Sequence, residues 1–185
     1  NKKLFWRVEA IAWGGKKSQD GACGEFTTEP VIELKGITFV SDMEWTRSTA
    51  GADNTVHRDS NYAKKEIHIA GKAYPKGVWT HAFNKAKPAD LVISTAGKDF
   101  ASFVADAGVE DTAGAGSVQF QVLVDGVMKA ESPIMKSGKA YHFNVDVADA
   151  KEVVLRVLNG GDGYQCDHAA WGLARFVKTG EKDPL

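Results

Sequence analysis

With 185 residues and a net charge of −1, the chain carries no basic field for nucleic acid and no cationic block for a membrane surface. It is long enough to bury a sizeable core without cross-links, and no stretch approaches the roughly 18 consecutive apolar residues of a membrane-spanning helix. A hydrophobic fraction of 43% beside 25% charged residues is that of an ordinary globular domain.

Residues 1–35 read as an N-terminal extension. Leu4, Trp6, Val8 and Ala10 alternate as a strand would, and Gly14 to Gly24 reads as a polar loop. The segment is expected to add a strand to the following domain or to pack on its edge. The start at Asn1 reads as a processed or excised form. Cys23 and Cys166 allow one disulfide from this segment to the loop before Asp167, and two buried thiols are the other reading.

From residue 36 onward the dominant period is two. Ile67–Ile69, Leu91–Ile93 and Phe103–Ala107 are short strand candidates. Val118, Phe120, Val122 and Val124 alternate with polar residues up to Asp125-Gly126, a strong hairpin signal. Tyr141, Phe143, Val145 and Val147 alternate with His142, Asn144 and Asp146, as in a half-buried strand. Val153–Val157 and Leu173–Val177 follow. Gly71-Lys72, Gly97-Lys98, Ser137-Gly138 and Asn159-Gly160-Gly161 punctuate these runs, and no stretch shows a capped helical stripe. Short, regularly spaced strands with Gly-rich turns predict an all-β, antiparallel β-sandwich over residues 36–178. Residues 179–185 read as a linker or tail, so a longer multidomain parent is expected.

Four segments, in order, carry a resemblance. They are Val40-Ser41-Asp42-Met43-Glu44-Trp45; Lys76-Gly77-Val78-Trp79-Thr80-His81-Ala82; Phe103 to Asp111; and Gly161-Asp162-Gly163 followed by Asp167-His168-Ala169-Ala170-Trp171. Together with Gly116–Val122 and Asp125-Gly126 they resemble the NPCBM family, family 51 of the carbohydrate-binding modules, over roughly residues 37–177. The resemblance implies a galactose-binding-like jelly roll. It further implies a secreted or cell-surface, non-catalytic module that recognises terminal galactose-type sugars for a parent glycoside hydrolase. Two positions depart from the family pattern: Trp79 stands where a small residue is common, and Ala170 where Asp is frequent.

The candidate sugar-binding residues are Trp45, Arg58, Trp79, His81, Asp167 and His168. A sugar's C–H face needs a flat aromatic plate, which Trp45 supplies unless it plugs the core. Trp79 and His81 are two apart, so in a strand they share a face and pair an indole with an imidazole. Asp167 and His168 are adjacent and face opposite ways in a regular strand. Asp167 then accepts sugar hydroxyls, ties down its loop, or serves a cation. Trp171 reads as core. Arg58 either pairs locally with Asp59 or rims the site. The loops bearing Trp45, His81 and Asp167 are expected to converge at one end of the sandwich.

Asp106, Glu110 and Asp111 cluster beside Gly108. Surface carboxylates and a structural calcium site both fit; paired glycosidase carboxylates, which need separations of about 5–9.5 Å across a cleft, fit less well. The sequence contains no phosphate loop, nucleophile elbow or zinc-binding His/Cys motif. The alternative to sugar binding is a structural or protein-interaction sandwich.

Overall fold

Alternation of apolar and polar residues over short runs, broken by glycine turns, leaves each strand one face to bury, and two sheets facing each other satisfy all of them. A computed structural model describes residues 3–8, 22–27, 34–50, 55–83 and 87–185, with the backbone alone for the first two segments. The chain divides into two compact units, Asn1–Leu34 and Lys35–Asp183. In the first, β1 (Lys3–Val8) and β2 (Ala22–Thr27) pair antiparallel as a two-stranded sheet of their own. Residues 22–24, expected in a loop, are therefore strand. The side chain of Cys23 lies outside the described residues; Cys166 is exposed.

In the second unit the strands are β3 (Ile37–Phe39), β4 (Arg47–Ser48), β5 (His57–Arg58), β6 (Ile67–Ile69), β7 (Lys72–Tyr74), β8 (Gly77–His81), β9 (Ala89–Ser94) and β10 (Phe100–Val109). They continue as β11 (Ser117–Val124), β12 (Val127–Glu131), β13 (Met135–Lys136), β14 (Tyr141–Asp146), β15 (Glu152–Asn159) and β16 (His168–Lys178). One sheet runs β14-β10-β16-β8-β5, with β3 also on β16; the other runs β12-β11-β15-β9-β4, with β13 also on β11. The pairs are antiparallel, which makes this the expected sandwich. The β11–β12 turn is Asp125-Gly126, both at positive φ, as the hairpin signal requires.

The core between the sheets is aromatic and aliphatic. Trp171 of β16 packs against Phe103, Phe120 and Phe143 at ring-centroid distances of 6.1, 4.9 and 5.2 Å. β16 changes phase along its length: Ala169 and Trp171 enter this core at odd positions, Ala174 and Phe176 at even ones. A bulge does this. Leu173 takes a positive φ of 47° where the register against β10 shifts, so one extra residue flips the alternation.

A second, smaller cluster lies on the outer face of the β5–β8–β16–β10 sheet. There the β6–β7 hairpin lays Ile67, Ile69 and Tyr74 over Trp79 and Ala170. Gly108 of β10 admits this hairpin, because a Cβ there would collide with the Ile69 side chain and the Lys139 carbonyl.

Candidate functional site

β8 alternates strictly: Val78 and Ala82 enter the main core, and Trp79 belongs to the outer cluster. His81 shares the parity of Trp79, as the spacing predicts. Pairing then gathers aromatic rings from three strands. His168 lies opposite His81, Ala170 opposite Trp79, and His57 of β5 opposite Trp79 on the other side. The two positions that depart from the family pattern, 79 and 170, are thus direct cross-strand neighbours, a large indole beside a small methyl group.

The rings form one group. Trp79 lies 4.8 Å from His57, 5.3 Å from His168, 5.6 Å from Tyr62 and 6.4 Å from His81, and His81 lies 5.2 Å from His168. Trp79 itself is 0% exposed, whereas Tyr62, stacked on His57 at 6.2 Å, is 53% exposed. Trp79 is therefore the floor of this patch and not its wall, and Tyr62 is the ring that solvent meets.

The loop between β5 and β6 holds Tyr62 in place through Asn61. The Asn61 Oδ1 accepts from the amides of Ala63 at 2.9 Å and Lys65 at 3.0 Å. Its Nδ2 donates to Glu110 Oε1 at 3.1 Å, and its carbonyl lies 2.8 Å from His57 Nδ1. A carbonyl only accepts, so His57 carries a proton on Nδ1, and its Nε2 faces the Lys64 ammonium at 3.5 Å. Burial keeps the His168 imidazole below its ordinary pKa, against the pull of the Glu110 charge. Trp79 Nε1 and His168 Nδ1 are buried without a hydrogen-bond partner among the described residues.

Asp167 is placed differently. It is 0% exposed, its Oδ1 accepts from the Ser117 amide at 3.0 Å, and its carbonyl accepts from Ala82 N at 3.1 Å. The side chain thus ties the residue before β16 to the first residue of β11. Burial pushes its carboxyl up to about 6, with the Asp162 charge adding to the rise and the Ser117 N–H opposing it.

Trp45 and Arg58 do not join the patch. Trp45 donates to the Val40 carbonyl at 2.9 Å, and the Arg58 guanidinium carbon lies 3.5 Å from its ring centroid. Arg58 also donates to the carbonyls of Ser41 at 2.5 Å and Met43 at 2.7 Å. Asp59 is not its partner: it accepts from Lys76 Nζ at 2.8 Å and Gly77 N at 2.9 Å. These contacts fix Trp45 near the start of β8, whereas His81 is at its end, roughly 13 Å away at strand rise. The expected convergence of Trp45, His81 and Asp167 does not form: His81 faces His168, the Asp167 side chain goes to Ser117, and Trp45 lies at the opposite end of β8.

The acidic cluster also separates. Asp106 accepts from His142 at 2.8 Å, Tyr74 at 3.0 Å and Lys72 at 3.2 Å. Burial alone would raise its carboxyl, but these bonds hold it below the ordinary value. Asp111 accepts from the Ala70 and Gly71 amides at 2.9 and 2.8 Å, closing the β6–β7 turn. Glu110 is fully buried, bonded to Asn61 and to Thr112. Each carboxylate is used by its own protein donors. Among the described residues no group of three or more His, Cys, Asp or Glu side chains is arranged to hold a metal ion.

Sequence reasoning missed His57, Asn61 and Tyr62. Their signal is the polar, aromatic run His57-Arg58-Asp59-Ser60-Asn61-Tyr62.

A family model described as the NPCBM/NEW2 domain matches residues 36–177. The fold is similar to that of a family 51 carbohydrate-binding module from a Clostridium perfringens family 95 glycoside hydrolase, solved with methyl-galactose. The two are 26% identical with a TM-score of 0.70, over 76% of this chain and 99% of that one. A second C. perfringens structure, the CBM51-2 module of ZmpB with GlcNAc and adjoining INT domains, is 25% identical with a TM-score of 0.70, over 95% of this chain and 37% of that one. Among curated proteins, one from Renibacterium salmoninarum named as an endo-alpha-N-acetylgalactosaminidase is 28% identical over 156 residues, or 80% of this chain. This chain spans only 10% of that protein's length.

Proposed function

This chain belongs to the NPCBM/NEW2 domain family of carbohydrate-binding modules, and we propose that it holds a terminal galactose-type sugar at the Tyr62–His57–Trp79–His81–His168 patch. In this reading it performs no chemistry of its own and directs a larger extracellular glycoside hydrolase to glycans.

One observation carries the reading: the exposed Tyr62 ring contacts His57 and His168, and the fully buried Trp79 beneath it joins both to His81. Tyr62 offers the plate for the apolar C–H face of the sugar. The half-buried His168 imidazole offers a directional partner for a ring hydroxyl, with the buried His57 and His81 packed beside it. The methyl-galactose bound by the C. perfringens module supports the ligand class. Sugar hydroxyls exchange water for protein partners at little net gain, so affinity should be modest.

Calorimetric titration with methyl galactoside tests this. Tyr62→Ala and His168→Ala should each weaken binding about tenfold, the equivalent of one plate or one hydrogen bond, with thermal unfolding unchanged for the exposed Tyr62. Unaltered affinity in both variants would move the site elsewhere. Failure of the wild-type chain to bind any sugar on a glycan array would favour a protein-interaction role.

A further inference from the structure

The two strands that supply His81 and His168 carry a second aromatic pair just beyond them. Phe83 lies two residues past His81 at the exit of β8, and Tyr164 lies four residues before His168 at the entry to β16. The strands are in register there, with His81 opposite His168 and Ala82 N donating to the Asp167 carbonyl at 3.1 Å. The two rings meet at a centroid distance of 4.7 Å and an interplanar angle of 33°. Tyr164 is 49% exposed, so the pair presents a ring to solvent.

Its loop is held closely. The Tyr164 carbonyl accepts from Asp167 N at 3.4 Å, the Gly163 carbonyl accepts from Asn159 Nδ2, and Asp162 accepts from Ser117 Oγ at 2.5 Å. Phe83 also lines a cleft of about 420 Å³ together with Arg47, Thr49, Pro88 and Asp90. In that cleft Asp90 accepts from Arg156 at 2.7 and 2.8 Å, and the exposed Arg47 pairs with it more loosely at 3.8 Å.

Resting on the reading of the histidine patch as the terminal-sugar site, we infer that Phe83 and Tyr164 form a second subsite, for the sugar linked to the terminal residue. The pair follows directly on the His81–His168 register, beside the histidines at the end of β8 and the start of β16. The aromatic pair gives the linked sugar a plate, and Arg47 gives its hydroxyls a donor. The ligand is then an oligosaccharide with a galactose-type end, and the linkage sets how well its second residue reaches the plate.

The experiment compares methyl galactoside with a panel of galactose-terminated disaccharides of different linkage, by calorimetry, on the wild-type chain, Phe83→Leu and Tyr164→Ala. Leu retains apolar packing at position 83 and removes the flat face. The best disaccharide should bind wild type about three- to tenfold more tightly than the monosaccharide, and both variants should lose that gain while keeping monosaccharide affinity. Equal affinity of wild type for all disaccharides and the monosaccharide overturns the subsite alone. Retention of the gain in both variants, or an equal loss for monosaccharide and disaccharide, overturns it as well. Absence of monosaccharide binding to wild type overturns the terminal-sugar reading and the subsite with it.

Discussion

Trp171 and Trp79 occupy adjacent, paired registers of β16 and β8 and look out of opposite faces of the same sheet. Trp171, 1% exposed, is surrounded by phenylalanines and fills the space between the sheets. Trp79, 0% exposed, is surrounded by three imidazoles and a tyrosine, with a short hairpin beside it. Equal burial therefore conceals different work. The first site is satisfied by volume and apolar contact; the second spends burial on holding polar rings in a fixed array, and leaves its own Nε1 without a partner among the described residues.

The sharpest way to break this contrast is substitution at the two indoles. Trp171→Ala should cost about 3–5 kcal/mol in urea unfolding, because a fully packed ring leaves a cavity that the surrounding strands cannot close. Trp79→Phe should cost about 1–2 kcal/mol yet weaken sugar binding severalfold, while Trp171→Phe leaves affinity unchanged. Equal affinity losses at the two positions would erase the distinction.

Next in size is the pH response of the fully buried Asp167. Its folded carboxyl titrates at about 6 against an ordinary value of 3.8. Between those values the native state keeps a proton that the unfolded state has lost, so stability falls as pH rises through the window. Asp167→Asn removes this loss and retains an oxygen for the Ser117 amide. The variant should match wild type near pH ~4 and exceed it above pH ~6 by about 1–3 kcal/mol, measured as paired melting curves. The depressed His168 pKa acts in the opposite sense, lowering stability as pH falls below about 6.5, and is common to both proteins. A constant difference across the range would mean that Asp167 ionises freely in the fold.

The smallest effect is expected at Arg58. Arg58 itself is exposed, so losing its stacking on the half-buried Trp45 and its two carbonyl bonds should cost only about 1 kcal/mol in Arg58→Ala and leave sugar affinity unchanged. Loss of binding there would restore Trp45 and Arg58 to the site.

Much of this architecture was legible because side-chain alternation is a local signal. The strands around Phe120, Phe143 and Leu155, the Asp125-Gly126 turn and the shared face of Trp79 and His81 all follow from period two. Family-like motifs named His81 and His168, and register then put them opposite each other. Two things escaped because they depend on the whole fold. Convergence of loops requires knowing at which end of β8 each loop lies, and Trp45 lies at the wrong one. Tyr62 sits in an irregular loop whose course is set by Asn61 reaching Glu110, 49 residues away, a contact that no local pattern announces. The bulge at Leu173, which reverses the inward phase of β16, was equally silent.

The most direct measurement is a nuclear magnetic resonance titration with methyl galactoside that follows the indole N–H signals of Trp45 and Trp79 and the ring signals of His57, His81 and His168. The account predicts that Trp79 and the three imidazoles shift together along one saturable curve while Trp45 stays still. A saturable shift of Trp45 with Trp79 and the histidines unmoved would contradict it.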